Sequence, residues 1–261
     1  MQLPPLSRIP FGRHPADAPQ RFDAWLEEPA GQAVIRAERR LLADWAPRLV
    51  GQRALEVGPG RNRNLLQDAR LPGRWSLAFG GHAQAHLCGS LEALPIARNS
   101  LDALLLHHCL EFHDAPHQVL REAASCVAPG GMLAVIGFQP LSAMGLARWF
   151  TAGRPRPAWV GRYFRPCRLN DWLQVLGFEV EGQAAGFHTL PLSDRGRARL
   201  CWLDWLGRHL WWRHAGVYLL VARKRAAMVR PLMTTDRRFR RQRPTVITVP
   251  LARWRRPHNV K

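Results

Sequence analysis

Apolar positions follow two rhythms along the chain. In one, short runs are apolar at nearly every residue. In the other, apolar residues return every three or four positions. The runs predict buried strands at 54–57, 75–79, 101–106, 132–138 and 217–222. His86-Leu87-Cys88 adds a short strand, and Phe178-Glu179-Val180-Glu181 alternates like a strand with one wet face. The wider spacing predicts helices. One runs from Phe22 to Trp45, with Val34, Leu41, Leu42 and Trp45 on one face. A short one covers 62–70, entered through Leu65-Leu66, and others rest on Val119, Leu120, Ala123, Ala124 and Val127 and on Leu169, Trp172, Leu173 and Leu176.

Turn residues punctuate these elements. Gly58-Pro59-Gly60, Pro72-Gly73, Gly80-Gly81 and Pro129-Gly130-Gly131 end them. Pro29 and Pro116 suit first turns, Asp114 an N-cap, Pro47 a stop and Gly177 a C′ position. Strands that alternate with helices predict an α/β fold: a doubly wound, mostly parallel sheet with helices on both faces. One link breaks the pattern. Only about five residues separate the second and third strands, against a dozen or more in a parallel crossover. Either a helix is missing there or the sheet is irregular.

The 261 residues suit one domain with extensions, and 47% hydrophobic content suffices for a real core. No stretch reaches the roughly 18 apolar residues of a membrane span. The start, Met1-Gln2-Leu3-Pro4-Pro5, lacks a signal peptide's apolar run. Cys88, Cys109, Cys126, Cys167 and Cys201 are scattered with no Cys-x-x-Cys pair, which predicts reduced thiols in a cytoplasmic protein and no cysteine zinc site. No P-loop, metal cluster or Ser/His/Asp order is visible.

Charge changes the picture at one end. The formal net charge is +19, and residues 223–261 hold thirteen Lys/Arg against the single acid Asp236. Residues 226–261 therefore read as a basic tail, disordered by composition. It is either simply solvated or an arm for RNA, DNA or anionic membrane. Residues 1–20, with five prolines, read as a flexible arm.

Candidate chemistry gathers at strand ends. A strand that ends in Gly58-Pro59-Gly60 and feeds a helix lets a ligand approach the backbone closely. Glu56 stands near that strand's carboxyl end, and His107 and His108 stand at the end of another, where α/β folds place ligands. His108 is the candidate base, since an unperturbed imidazole titrates near pH 6.5. Glu111 either orients His108 or caps the next helix. Asp102 reads as a structural group at a strand start. The aromatic and basic residues of 139–167 and 199–213 fit a lid, or core packing.

Taken together, Leu55-Glu56-Val57-Gly58-Pro59-Gly60, Gly89-Ser90-Leu91-Glu92-Ala93-Leu94-Pro95, Ser100–Leu106, His108-Cys109-Leu110-Glu111-Phe112, Leu120-Arg121-Glu122 and Val127-Ala128-Pro129-Gly130-Gly131 resemble, in order and spacing, the class I S-adenosylmethionine-dependent methyltransferases, type 11-like group. The resemblance covers roughly residues 30–224, within a domain at 21–225, and implies an antiparallel last strand. It implies that Glu56, Gly58, Pro59, Gly60, Phe79, Gly80, Ser90, Leu91, Glu92 and His107 bind S-adenosyl-L-methionine, with His108 beside the reactive methyl. Two positions depart from the family. Phe79 or Gly80 takes the place of the ribose-binding acid, and Ser90 that of an acid facing the adenine amino group. A hydroxyl still accepts a hydrogen bond, without charge. The implied activity is methyl transfer to a small-molecule or lipid acceptor. The alternatives are a nucleic-acid methyltransferase that grips phosphates through the tail and a non-enzymatic binding protein that has lost its cofactor.

Overall fold

The computed structural model describes residues 17–61, 63–79, 85–142, 145, 161–187 and 215–226. Seven strands form one sheet: β1 (Arg53–Pro59), β2 (Gly73–Phe79), β3 (Leu87–Cys88), β4 (Leu101–His107), β5 (Val127–Phe138), β6 (Phe178–Gly186) and β7 (Val217–Lys224). Their order is β3-β2-β1-β4-β5-β7-β6. β7 runs antiparallel to both β5 and β6, and the remaining neighbours are parallel. The expected doubly wound, mostly parallel sheet with an antiparallel last strand is thus present.

β4 shows why its run is so apolar. It lies between β1 and β5, and Leu101 and Ala103–Leu106 are all buried. A central parallel strand is covered on both faces, so neither can be polar. The exception, Asp102, faces the strand start. Its Oδ2 accepts hydrogen bonds from the backbone N–H groups of Gln52 and Arg53 at 2.7 and 2.9 Å and so ties β4 to β1.

Four helices are described: α1 (Ala18–Glu27), α2 (Pro29–Ala43), α3 (Pro116–Cys126) and α4 (Pro166–Val175). Each carries a proline in its first turn. The expected helix over Phe22–Trp45 is two helices. Pro29 drives Glu28 into an extended conformation (φ −69°, ψ 158°), and the axis breaks there. α1 also starts at Ala18, which is buried, so the expected arm over 1–20 is shorter than its composition suggests.

Three other expectations are corrected. Residues 62–70 do not form a helix: the described part is a set of turns, with Asn64 at φ 49° and the Arg63 side chain drawn away to α1. Asp114 does not cap α3. Ala115 holds that position without a side-chain bond, and Pro116 alone opens the helix. α3 ends before Pro129-Gly130-Gly131, at Cys126, where Lys224 Nζ donates to the carbonyls of Ala124 and Val127 at 2.8 and 2.7 Å. Those three residues belong instead to the irregular start of β5, where the register with β4 slips. Gly177 does stand just past α4, at φ 82°.

Cys88, Cys109, Cys126 and Cys167 are free thiols. Among the described residues no helix is long and apolar enough to cross a membrane. Cys201, Trp149, Phe150, Trp159, residues 199–213 and the tail from 227 lie outside the described residues.

Candidate functional site

The chain leaves β1 toward β2 and β3, then returns to place β4 on β1's other side. Between the carboxyl ends of β1 and β4 the winding therefore reverses, and such a switch point opens a crevice. The β1 end carries Glu56, Gly58, Pro59 and Gly60, and the β4 end carries His107 and His108.

Glu56 is buried and Oε2 accepts from the Leu65 backbone N–H at 2.8 Å. Burial pushes its pKa up, while backbone donors at Leu65, Arg63 and Leu66 pull the other way. The carboxylate thus organises the 63–66 turn in place of the missing helix. Gly58 lies beside His107: a Cβ there would come within 3.3 Å of Nδ1. Gly60 sits at φ 75°, a conformation glycine adopts without strain. Any Cβ on Gly60 would fall onto the carboxylate of Asp23, from α1. The Arg61 N–H donates to Asp23 Oδ1 at 3.3 Å, Arg63 Nη2 pairs with the same oxygen, and Arg63 Nη1 reaches Glu27 at 2.9 Å.

Beside this turn lies a buried array of ionisable groups. Glu38, from α2, accepts from His107 Nε2 at 3.0 Å and from His108 Nε2 at 2.8 Å. His108 Nδ1 donates to Glu111 Oε1 at 3.0 Å, and that oxygen also takes the Phe138 N–H at 2.8 Å. Glu111 therefore orients His108 and caps no helix. His108 is fully buried at φ 51°, its ring 4.1 Å from that of Phe138. Burial alone would lower its pKa, but Glu111 and Glu38 outweigh that and raise it to about 9. His108 is thus an imidazolium at neutral pH, with both nitrogens donating and no lone pair to offer. His107 goes the other way: burial lowers its pKa below the ordinary value, more than Glu38 raises it. Burial would raise the Glu38 carboxyl, but the two imidazoles hold it well below the usual carboxylate range.

The ligand atoms of Glu38, His107 and His108 lie within 4.8 Å of one another, a grouping that local sequence did not reveal. A tetrahedral ion with bonds of about 2.0–2.1 Å would need them roughly 3.4 Å apart. The carboxylate already stands between the two rings and accepts a hydrogen bond from each, so the three groups form a hydrogen-bonded network.

The remaining candidates sit farther along the strand ends. Phe79 closes β2 and is buried, and Gly80 lies outside the described residues. Ser90, Leu91 and Glu92 form a compact turn, with the Glu92 N–H donating to Ser90 Oγ at 3.2 Å and Leu91 buried. Asp23, Glu27, Glu38 and Arg63 were missed. Glu38 left a signal: it falls four residues after Val34 and four before Leu42, inside the apolar stripe of α2.

Residues 55–135 match the sequence profile of a methyltransferase domain. The chain is 31% identical over 185 residues to the uncharacterized protein YafS of Escherichia coli, covering 70% of this chain and 76% of that one. It is 27% identical over 201 residues to the uncharacterized protein Rv2003c of Mycobacterium tuberculosis, covering 73% and 69%. The fold resembles that of a SAM-dependent methyltransferase from Thermotoga maritima, with a TM-score of 0.60 at 17% identity over 80% of this chain and 99% of that one. A second, from Archaeoglobus fulgidus, gives 0.51 at 16% identity over 78% and 98%. The chain belongs to the class I S-adenosylmethionine-dependent methyltransferases. As a family member it carries the expected glycine turn at the switch point. At the expected methionine end Gly60 offers only backbone, with the Asp23 carboxylate where a Cβ would fall, and the buried acid Glu56 would suit a nearby sulfonium. At the ribose position, Phe79 has no acceptor to offer.

Proposed function

We propose that this methyltransferase binds S-adenosyl-L-methionine over Gly58–Gly60 and transfers its methyl group to a small-molecule or lipid acceptor. The observation that carries this reading is the local charge at the switch point. In a chain of net charge +19, Asp23, Glu27, Glu38, Glu56 and Glu111 gather around the glycine turn and the β4 end, with Arg63 and the His108 imidazolium as their cationic partners. An acidic surround in which all but Glu27 are buried favours a sulfonium cation. The cofactor would supply an activated methyl group. The protein's part is to align the acceptor and exclude water. Glu56 and the backbone of Gly58, Pro59 and Gly60 would hold the methionine end, with Ser90, Leu91 and Glu92 beside the adenine. Phe22, Phe112 and Phe138, packed around His108, keep water from that side.

His108 enters as a fixed, fully buried positive charge and His107 as a neutral neighbour of Gly58. An acceptor that must lose a proton would lose it to a group other than His108. A groove lined by Gln139, Leu141, Asn170, Gln183, Ala215 and Tyr218 begins where β5 ends and β7 starts and would hold the acceptor. The basic tail would add affinity for anionic lipid or RNA.

Calorimetric titration with S-adenosylhomocysteine tests the reading. Saturable one-to-one binding is expected, lost in Gly58→Val, whose side chain would crowd the turn and His107. Equal affinity in that folded variant would place the site elsewhere. No binding to the wild type would leave a fold-retaining protein without its cofactor. Deleting 227–261 should weaken binding to RNA or anionic vesicles, most at low salt.

A further inference from the structure

The Gly60 turn already holds an anion. After Gly60 at φ 75° the Arg61 N–H donates to a carboxylate, as a backbone donor does in an anion-binding concavity. The buried Arg63 guanidinium closes the concavity from the side. Asp23 fills it: the Arg61 N–H and Arg63 Nη2 both end on Oδ1, and the carboxylate packs where a Gly60 side chain would be. We propose that Asp23 is an internal ligand, seated in the cradle that the cofactor's α-carboxylate takes, so that helix α1 and the cofactor compete for Gly60, Arg61 and Arg63. The proposal rests on the cofactor reading given above.

Two further observations favour a shared seat. Arg63 Nε is buried with no hydrogen-bond partner among the described residues, so the guanidinium keeps an unused donor for a carboxylate oxygen. Trp25 Nε1, on α1, is buried without a partner among the described residues as well. Buried donors are nearly always paired, so the packing of α1 here leaves polar groups unsatisfied. The helix also has a place to pivot, since extended Glu28 separates it from α2. Phe22 on the same helix lies 4.7 Å from Phe112 and 5.1 Å from His108 between ring centres.

The opposite role, Asp23 as partner of the cofactor's ammonium, predicts the opposite sign. Calorimetry on wild type, Asp23→Ala and Asp23→Asn separates them. The probes are S-adenosylhomocysteine and 5′-methylthioadenosine, which lacks the amino-acid end. If Asp23 holds the cradle in about nine molecules of ten, its removal should tighten S-adenosylhomocysteine about tenfold and leave methylthioadenosine within about twofold. Glu27→Gln, which weakens the second contact of α1 to Arg63, should move affinity the same way by less. In the wild type, S-adenosylhomocysteine should raise deuterium exchange of the 18–27 amides. Weaker binding in the Asp23 variants, or protection of those amides, overturns the internal ligand while the cofactor site stands. No binding of either probe to any form overturns both.

Discussion

The two halves of the sheet are built differently. From β4 outward through β5, β7 and β6, the strands are long, α3 and α4 pack on them, and β7 is buried from Val217 to Ala222. From β1 outward, β2 is followed only by the two-residue β3, paired at Leu77↔Leu87 and Ala78↔Cys88. No helix joins β1 to β2 among the described residues. Side-chain to backbone bonds hold this half together: Glu56 to the Leu65 N–H, Arg74 to the carbonyls of Leu66 and Gln67 at 3.3 and 2.6 Å, and His86 Nδ1 to the Ser76 N–H at 3.1 Å. Polar contacts can replace a crossover helix geometrically. They bury little apolar area, so they contribute far less stability per residue. The lesson concerns the crossovers: helices cover one half of the sheet, and side-chain to backbone bonds stand in for a crossover helix in the other.

Mutations at matched positions should sharpen this contrast. The largest effect is expected from Phe138→Ala, at a fully buried ring touching Phe22, His108 and Tyr163. Urea unfolding should show a loss of about 3–5 kcal/mol. A loss below 1 kcal/mol would mean the second half is loosely packed after all.

Next comes pH. His108 has a pKa of about 9 when folded, raised from its unfolded value near 6.5. The group binds its proton more tightly in the folded state. Its stabilisation is therefore complete below the unfolded pKa and lost as pH rises through the folded one. The shift corresponds to about 3 kcal/mol, spent between roughly pH 6.5 and 9. His108→Asn, which tolerates the left-handed backbone, removes this titration. Its unfolding free energy should be flatter than that of the wild type over the same range. An identical alkaline slope in both would show that another group is responsible.

In the first half, Ser76 accompanies its N–H bond with a second contact, Oγ to His86 Nδ1 at 2.9 Å. His86→Ala leaves the Ser76 N–H without that acceptor and should cost about 1 kcal/mol in thermal unfolding. Hydrogen exchange should rise in β2 and not in β7. A change spread evenly over both would erase the distinction between the halves. An effect of similar size is expected from Gly177→Ala in thermal unfolding. The new Cβ meets nothing within 4 Å, so only the left-handed backbone at φ 82° resists it, at about 1–2 kcal/mol before relaxation.

The same contrast explains what could be read from the chain. The runs 101–106 and 217–222 announce strands because both faces are covered, and the position of Asp102 at a strand start was visible for the same reason. Leu65-Leu66 suggested a helix because their spacing requires only burial, and a turn buries them equally well. The glycine turn and the paired histidines were visible as local words. Their partners were not. Glu38 meets His108 across 70 positions and Arg63 meets Asp23 across 40, and no local pattern encodes such distances. Without Glu38 in view, His108 looked like an ordinary titrating imidazole. With two carboxylates on it, the ring becomes a fixed charge.

The His86 contact has a consequence for assembly. A sheet's outermost strand offers unpaired donors and acceptors to any neighbouring molecule. Here the imidazole takes the Ser76 N–H that a longer β3 would have used, and β3 itself offers only two residues. At the opposite margin, β6 departs from regular register between Val180 and Gly182, where Trp45 stands against the glycine. Both margins are thus poor templates for another chain's strand, one through brevity and a ring in place of a carbonyl, the other through a bulge. The sheet ends by its own geometry, which guards against edge-to-edge aggregation.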